Sequence, residues 1–68
     1  MADRLANTIR AAREARGWTQ ADLAERIGVT RKTINTVENG VFVPSTIIAL
    51  RIARAFGVPV ETLFSLQD

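Results

Sequence analysis

Apolar residues recur every three or four positions along most of the chain, and polar or glycine-containing breaks separate the runs. This pattern predicts five helices and no strand. Leu5, Ile9 and Ala12 share one helical face, so Asp3 to Arg16 reads as a first helix, rich in Ala and Arg and closed by Gly17. Trp18 follows as a core anchor whose indole N–H needs a partner or a path to water. Thr19 suits the N-cap of a second helix, with Asp22 in the first turn, where the helix dipole favours an acid. Leu23, Ala24 and Ile27 form its inner face, Gly28 stops it, and Val29 is the buried residue of the turn. Thr30 caps a third helix, with Thr33 at the capping-box position in place of the usual Glu or Gln. Ile34 and Val37 face inward, and Asn39-Gly40 ends the helix with residues that tolerate left-handed geometry. After the loop Val41 to Pro44, Ser45 caps a fourth helix running to about Phe56. Ile47, Ile48, Leu50, Ile52, Ala53 and Phe56 make it apolar most of the way round. Such a helix is either central to a core or shared with a partner. Pro59 begins a short fifth helix, about Val60 to Ser65, with Leu63 and Phe64 buried.

The stretch from Gln20 to Asn39 carries more than periodicity. Ala24 is small where the next helix must cross closely, and Gly28 permits the positive φ of a tight turn that redirects the chain. Leu23, Ile27, Val29, Ile34 and Val37 supply the apolar wedge between the two helices. These positions, met together, predict a helix-turn-helix. The outer positions of its second helix are polar and have nothing in the core to bind.

Size and composition narrow the function. Sixty-eight residues make one domain at most. Residues 1–68 read as that domain, with the core at about 5–66 and the helix-turn-helix at 20–39. A chain this short buries only about 60% of its unfolded surface, so a single core must use nearly all its apolar residues. Cysteine and histidine are both absent, which excludes disulfides, the common zinc sites, and thiol or imidazole catalysis. No paired catalytic carboxylates, phosphate loop or metal ligand set is visible, so an enzyme is the least favoured class and no cofactor or metal is expected. No apolar run reaches the ~18 residues of a membrane span, and charges stand where a signal peptide would have its apolar core. The net charge is +2. Residues 1–36 carry +3 and residues 37–68 carry −1, so an anionic partner should meet the first half.

The stretches IRAAREARGWTQADLAERIGVTRKTINTVENG, then PS, then LRIARAFGVPVETLF resemble the helix-turn-helix family of phage Cro and repressor proteins, the xenobiotic-response-element (XRE) family. The match runs from about Ile9 to Phe64. It implies an all-α, compact, five-helix fold like that of lambda repressor, with the helix-turn-helix in helices two and three. It also implies a sequence-specific regulator of transcription that binds double-stranded DNA in the cytoplasm, at the nucleoid. Repression is the favoured mode, because a bare DNA-binding domain can occlude a promoter unaided. By the same resemblance Arg31, Lys32 and Thr36 match positions that reach base edges in the major groove, and Asn35 faces the same side. Gln20, Thr30, Thr33 and Asn39 match backbone contacts. Arg13 and Glu38 match a semi-buried ion pair joining the first helix to the end of the third. Arg10 and Arg16 read as general surface charges with long-range help for phosphate binding.

Members of this family act as two-fold dimers on pseudo-palindromic operators. A homodimer is therefore expected, through helices four and five and the residues beside them: Ile48, Val58, Val60, Phe64 and Leu66. One departure stands out. The loop after the recognition helix in this family usually carries lysine or other polar residues that touch the DNA backbone, and here it is Val41-Phe42-Val43. Fewer phosphate contacts are expected there, and Phe42 is expected to fold back over the core. Rival readings are a restriction–modification controller or an antitoxin-like autoregulator built on the same module. A protein-interaction module without DNA binding is a third, favoured only by the apolar loop.

Overall fold

The computed structural model describes residues 3–67. Along them run β1 (Arg4–Asn7), α1 (Ile9–Ala15), α2 (Gln20–Ile27), α3 (Arg31–Glu38), α4 (Thr46–Phe56), α5 (Val60–Leu63) and β2 (Phe64–Gln67). The five helices agree with the hydrophobic pattern, and the two strands do not. They pair antiparallel, with Arg4 opposite Gln67, Leu5 opposite Leu66, Ala6 opposite Ser65 and Asn7 opposite Phe64.

The expected first helix is thus too long by its first turn and a half. Asn7 is the reason. Its Oδ1 accepts from the Ile9 N–H at 3.2 Å, and its Nδ2 donates to the Val37 carbonyl at 3.0 Å. These bonds start α1 at Ile9 and dock its beginning on the end of α3. The Leu5–Ile9 spacing of four fits a helix, yet Leu5 lies in β1 and is half-buried. The fifth helix is likewise shorter than expected, because Phe64 and Ser65 belong to β2.

The caps follow the expected chemistry closely. Thr19 accepts from the Asp22 N–H at 3.0 Å, and Asp22 accepts from the Thr19 N–H at 2.8 Å, so α2 opens on a reciprocal capping box. Thr30 and Ser45 accept from Thr33 and Ile48 N–H groups at 3.2 and 3.1 Å to open α3 and α4. Gly28, at φ +75°, turns the chain between α2 and α3 in a conformation that L side chains rarely adopt. At the end of α3 the left-handed residue is Gly40, not Asn39, whose φ is −86°.

Ile9, Leu23, Ala24, Ile27, Ile34, Val37, Ile52, Ala53, Phe56 and Leu63 form the core. All five helices contribute, which holds α3 at a set angle to α2 and α4. Val29 is only half-buried, as is Phe64, though both pack on that core. Trp18 stacks on Phe56, ring centroids 5.2 Å apart, at the edge of the core. On α4 only Ile52, Ala53 and Phe56 are buried; Ile47 and Leu50 remain 64% and 54% exposed. Phe42 does not cover the core as expected: it keeps 47% of its surface, and Val41 and Val43 keep more. The N–H groups of Val41 and Phe42 both donate to the Thr36 carbonyl, at 3.0 and 3.2 Å, and hold the loop at the end of α3. No helix among the described residues is long and apolar enough to cross a membrane.

Candidate nucleic-acid interface

α3 divides into two faces. Ile34 and Val37 are buried, and Arg31 and Lys32 are exposed in the first turn. Asn35 and Thr36 lie one turn further along the same outer side, four residues on from Arg31 and Lys32 respectively. Two cations in a first turn without an acid oppose the helix dipole. Local stability therefore gives no reason for them. Neither makes a side-chain hydrogen bond or ion pair among the described residues, so both guanidinium and ammonium are free for an anionic partner.

Thr36 is differently placed. Its hydroxyl donates to the Thr33 carbonyl at 3.0 Å. Its single proton is used, which leaves an acceptor oxygen and a methyl group for any partner. Thr30 serves as the N-cap, and its hydroxyl oxygen lies 3.0 Å from that of Thr33. These two hydroxyls sit together beside Arg31.

The remaining outward polar residues are joined in a ring. Arg10 donates to Asn39 Oδ1 at 3.2 Å, Asn39 Nδ2 to Asn35 Oδ1 at 3.3 Å, and Asn35 Nδ2 to Gln20 Oε1 at 3.5 Å. Gln20 Nε2 donates to Glu38 Oε1 at 3.2 Å, and Arg10 Nε closes the ring on the same oxygen at 3.5 Å. Two of these links are at the long limit of hydrogen bonding. Arg13 meets the ring from inside: its Nε donates to Glu38 Oε2 at 2.8 Å and its Nη2 to Oε1 at 3.1 Å. Arg13 Nη1 also donates to the Trp18 carbonyl at 2.9 Å. The structure thus brings Arg13, Gln20, Asn35, Glu38 and Asn39 together, and leaves Arg31, Lys32 and Thr36 outside the ring.

Electrostatics support the same geometry. Burial pushes the Glu38 carboxyl upward, but hydrogen bonds from Arg13 and Gln20, the Arg13 charge and the Arg10 bond outweigh it, and its pKa is lowered. The hydrogen bond to Glu38 is also the main cause of the raised Arg13 pKa, against the effect of burial. The pair is therefore charged on both sides at neutral pH. It ties α1 to the end of α3 and fixes the far end of the exposed face.

Two arginines expected to be general surface charges hold specific places. Arg10 belongs to the ring, and its spacing of three from Arg13 was the available signal, since both lie on one helical face. Arg16 donates to the Phe56 carbonyl at 2.7 Å, with its guanidinium 4.8 Å from the Phe56 ring centroid and 5.6 Å from that of Trp18. Its role is to clamp α4 to the Trp18 connection, and nothing local in the sequence marks it. Of the residues expected at a dimer surface, Ile48, Val58, Val60 and Phe64 are half-buried against the core, whereas Leu66 is 69% exposed.

A model of the helix-turn-helix family matches residues 9–63. An uncharacterized HTH-type transcriptional regulator of Methanothermobacter thermautotrophicus is 51% identical over 61 residues, covering 88% of each chain. The uncharacterized HTH-type transcriptional regulator YgzD of Bacillus subtilis is 39% identical over 62 residues, covering 91% of this chain and 94% of its own. Among solved structures, the hypothetical transcription factor NHTF from Neisseria superposes with a TM-score of 0.75 at 28% identity, over 79% of this chain and 61% of that one. With α2 and α3 forming the helix-turn-helix, the chain belongs to the XRE-type helix-turn-helix family of DNA-binding transcription regulators.

Proposed function

We propose that the chain is a sequence-specific repressor that binds a pseudo-palindromic operator as a homodimer. The observation that carries the reading is the pair Arg31 and Lys32, exposed and unpartnered in the first turn of α3, against the preference of the helix dipole. Cations placed there reach guanine O6 and N7 when a recognition helix enters the major groove. Asn35 and Thr36 read bases beside them. Thr36 supplies an acceptor and a methyl, suited to a base-edge amino group or a thymine methyl. Gln20, Thr30, Thr33 and Asn39 contact the DNA backbone, with the ring holding Gln20 and Asn39 in place before DNA arrives. The chain as a whole, residues 1–68, acts as one DNA-binding domain in the cytoplasm, at the nucleoid.

A dimer is favoured by the apolar surface left outside the core. Val41, Phe42, Val43 and Leu66 are exposed, and Phe42, Val43 and Leu5 line a hollow with Asp3, Arg4, Asn7 and Gln67 between the loop and the β ribbon. Large apolar side chains left exposed beside one another suit an interaction site. Leu66 on β2 is the exposed part of the expected dimer surface, and Ile48, Val58, Val60 and Phe64 are half-buried.

Selection of bound sites from random DNA tests the reading. An enriched palindrome with half-sites about one helical turn apart is expected. Enrichment of no sequence, with the chain folded, would overturn it and favour a protein-interaction module.

A further inference from the structure

Between the C-terminal end of α2 and the outer side of α4 lies an open hollow of about 610 Å³. Arg26, Ile27, Arg51, Arg54 and Ala55 line it, and no residue of α3 does. Arg26 lies over Trp18, its guanidinium 4.1 Å from the ring centroid. Arg51 donates from Nη1 to the Ile27 carbonyl at 3.4 Å. Arg54 follows Arg51 by three residues and so shares its helical face. None of the three forms an ion pair among the described residues, where both ion pairs belong to Glu38. The acids nearest in sequence are Asp22 and Glu25, which flank Arg26 in a separate hollow. Asp22 is already engaged by the Thr19 N–H.

No carboxylate lines the hollow with the three cations; Asp22, whose pKa is lowered mainly by the Thr19 backbone N–H and in small part by the Arg26 charge, lies outside it. Guanidinium groups match the oxygens of a phosphate through paired N–H donors. Two of them are already held, Arg26 by Trp18 and Arg51 by Ile27, so less freedom is lost when an anion arrives. The apolar floor of Ile27 and Ala55 strengthens the local field. We propose that this hollow is a phosphate-binding site, distinct from the reading face of α3, in which Arg26, Arg51 and Arg54 hold the oxygens. The phosphate comes from a free phosphorylated ligand or from the DNA backbone beside the reading helix.

Pyrophosphate titrated into the full chain at constant ionic strength, followed by heteronuclear NMR, tests the site. Saturable shifts are expected at Ile27, Arg51, Arg54 and Ala55. Affinity should fall at least about tenfold in the double variant Arg51→Gln/Arg54→Gln and stay unchanged in Arg31→Gln/Lys32→Gln. Arg54→Gln alone, at an exposed residue with no tertiary hydrogen bond, guards against a folding defect and should show part of the loss. A second arm measures the salt dependence of binding to non-specific duplex DNA. A slope reduced by roughly 2 in the double variant assigns the phosphates to DNA, and an unchanged slope with pyrophosphate binding lost assigns a free ligand. Shifts that do not saturate, together with an unchanged slope, would overturn the site. So would equal pyrophosphate affinity in the double variant, or binding of a glutamate-rich peptide in preference to pyrophosphate.

Discussion

Arg13 grips both carboxylate oxygens of Glu38, at 2.8 and 3.1 Å, across the 25 residues between α1 and the end of α3. The Glu38 side chain is fully enclosed, and that of Arg13 is 10% exposed. Removing Glu38 leaves the Arg13 charge with the Trp18 carbonyl alone, and removing Arg13 leaves Glu38 with Gln20 and a long bond to Arg10; breaking a buried pair costs about 3–5 kcal/mol. A chain of this length has only about 3–10 kcal/mol of stability. Arg13→Ala or Glu38→Ala should therefore leave the chain close to unfolding at room temperature, measured by urea denaturation. The double variant Arg13→Met/Glu38→Leu should be more stable than either single variant. Additive losses would show that the two charges act independently.

The same carboxylate sets an acid limit. The Glu38 pKa is lowered in the folded state, and that of Asp22 is lowered mainly by the backbone N–H of Thr19. Between the folded and unfolded pKa values the unfolded chain binds more protons, so stability rises with pH across that window. The contribution is complete above the ordinary carboxylate pKa, about 4.3 for Glu, and is lost as pH falls through the lowered folded value. Thermal melts from neutral to acid pH should show a falling Tm below about pH 4–5. In Glu38→Gln the curve should be flatter. A wild-type Tm independent of pH in this range would contradict the linkage.

Arg31 and Lys32 should matter to DNA and not to folding. Each is exposed and without a partner among the described residues, so alanine should change stability by less than about 0.5 kcal/mol. Each substitution should weaken binding to a selected operator by about 1–3 kcal/mol and relax the base preference at one position. Thr36→Val keeps the shape and removes the acceptor, so it should reduce discrimination while leaving non-specific affinity intact. Equilibrium binding to operator and scrambled duplexes, compared at two salt concentrations, separates these effects.

Leu66 offers a direct test of assembly. It is 69% exposed on β2, opposite Leu5 in the ribbon. Leu66→Lys should leave the melting temperature of the domain nearly unchanged at low concentration and shift sedimentation from dimer to monomer. It should also weaken binding to a full palindrome far more than to a single half-site. A variant that still sediments as a dimer would place the interface elsewhere, with the Val41–Val43 loop the next surface to change.

Much of the fold was legible because its determinants are local. Thr19, Thr30 and Ser45 cap helices through bonds to residues only three positions away, and Gly28 turns the chain through its own φ. The buried sides of α2 and α3 follow from spacing alone, and with them the polar outer side that holds Arg31, Lys32, Asn35 and Thr36. The ribbon was not legible. Four-residue strands carry little periodic signal, and β1 exists because β2, about 60 residues later, pairs with it. Asn7 ends the strand through a bond to Val37, a contact that no local rule foretells.

The sequence by itself determined that α2, a tight turn and α3 form a helix-turn-helix, because apolar spacing and caps act over one or two turns. Only the tertiary structure decided which polar residues are free. Gln20, Asn35 and Asn39 lie on the outer side with Arg31 and Lys32, yet they are bound to one another in a ring that Arg10 and Glu38 close. Arg10, Arg16, Arg31 and Arg51 are alike as letters. One closes a ring, one clamps α4, one stands free on α3 and one lies in a hollow with two other arginines. Charge is a property of the residue, whereas its partner is a matter of which helices the core brings together.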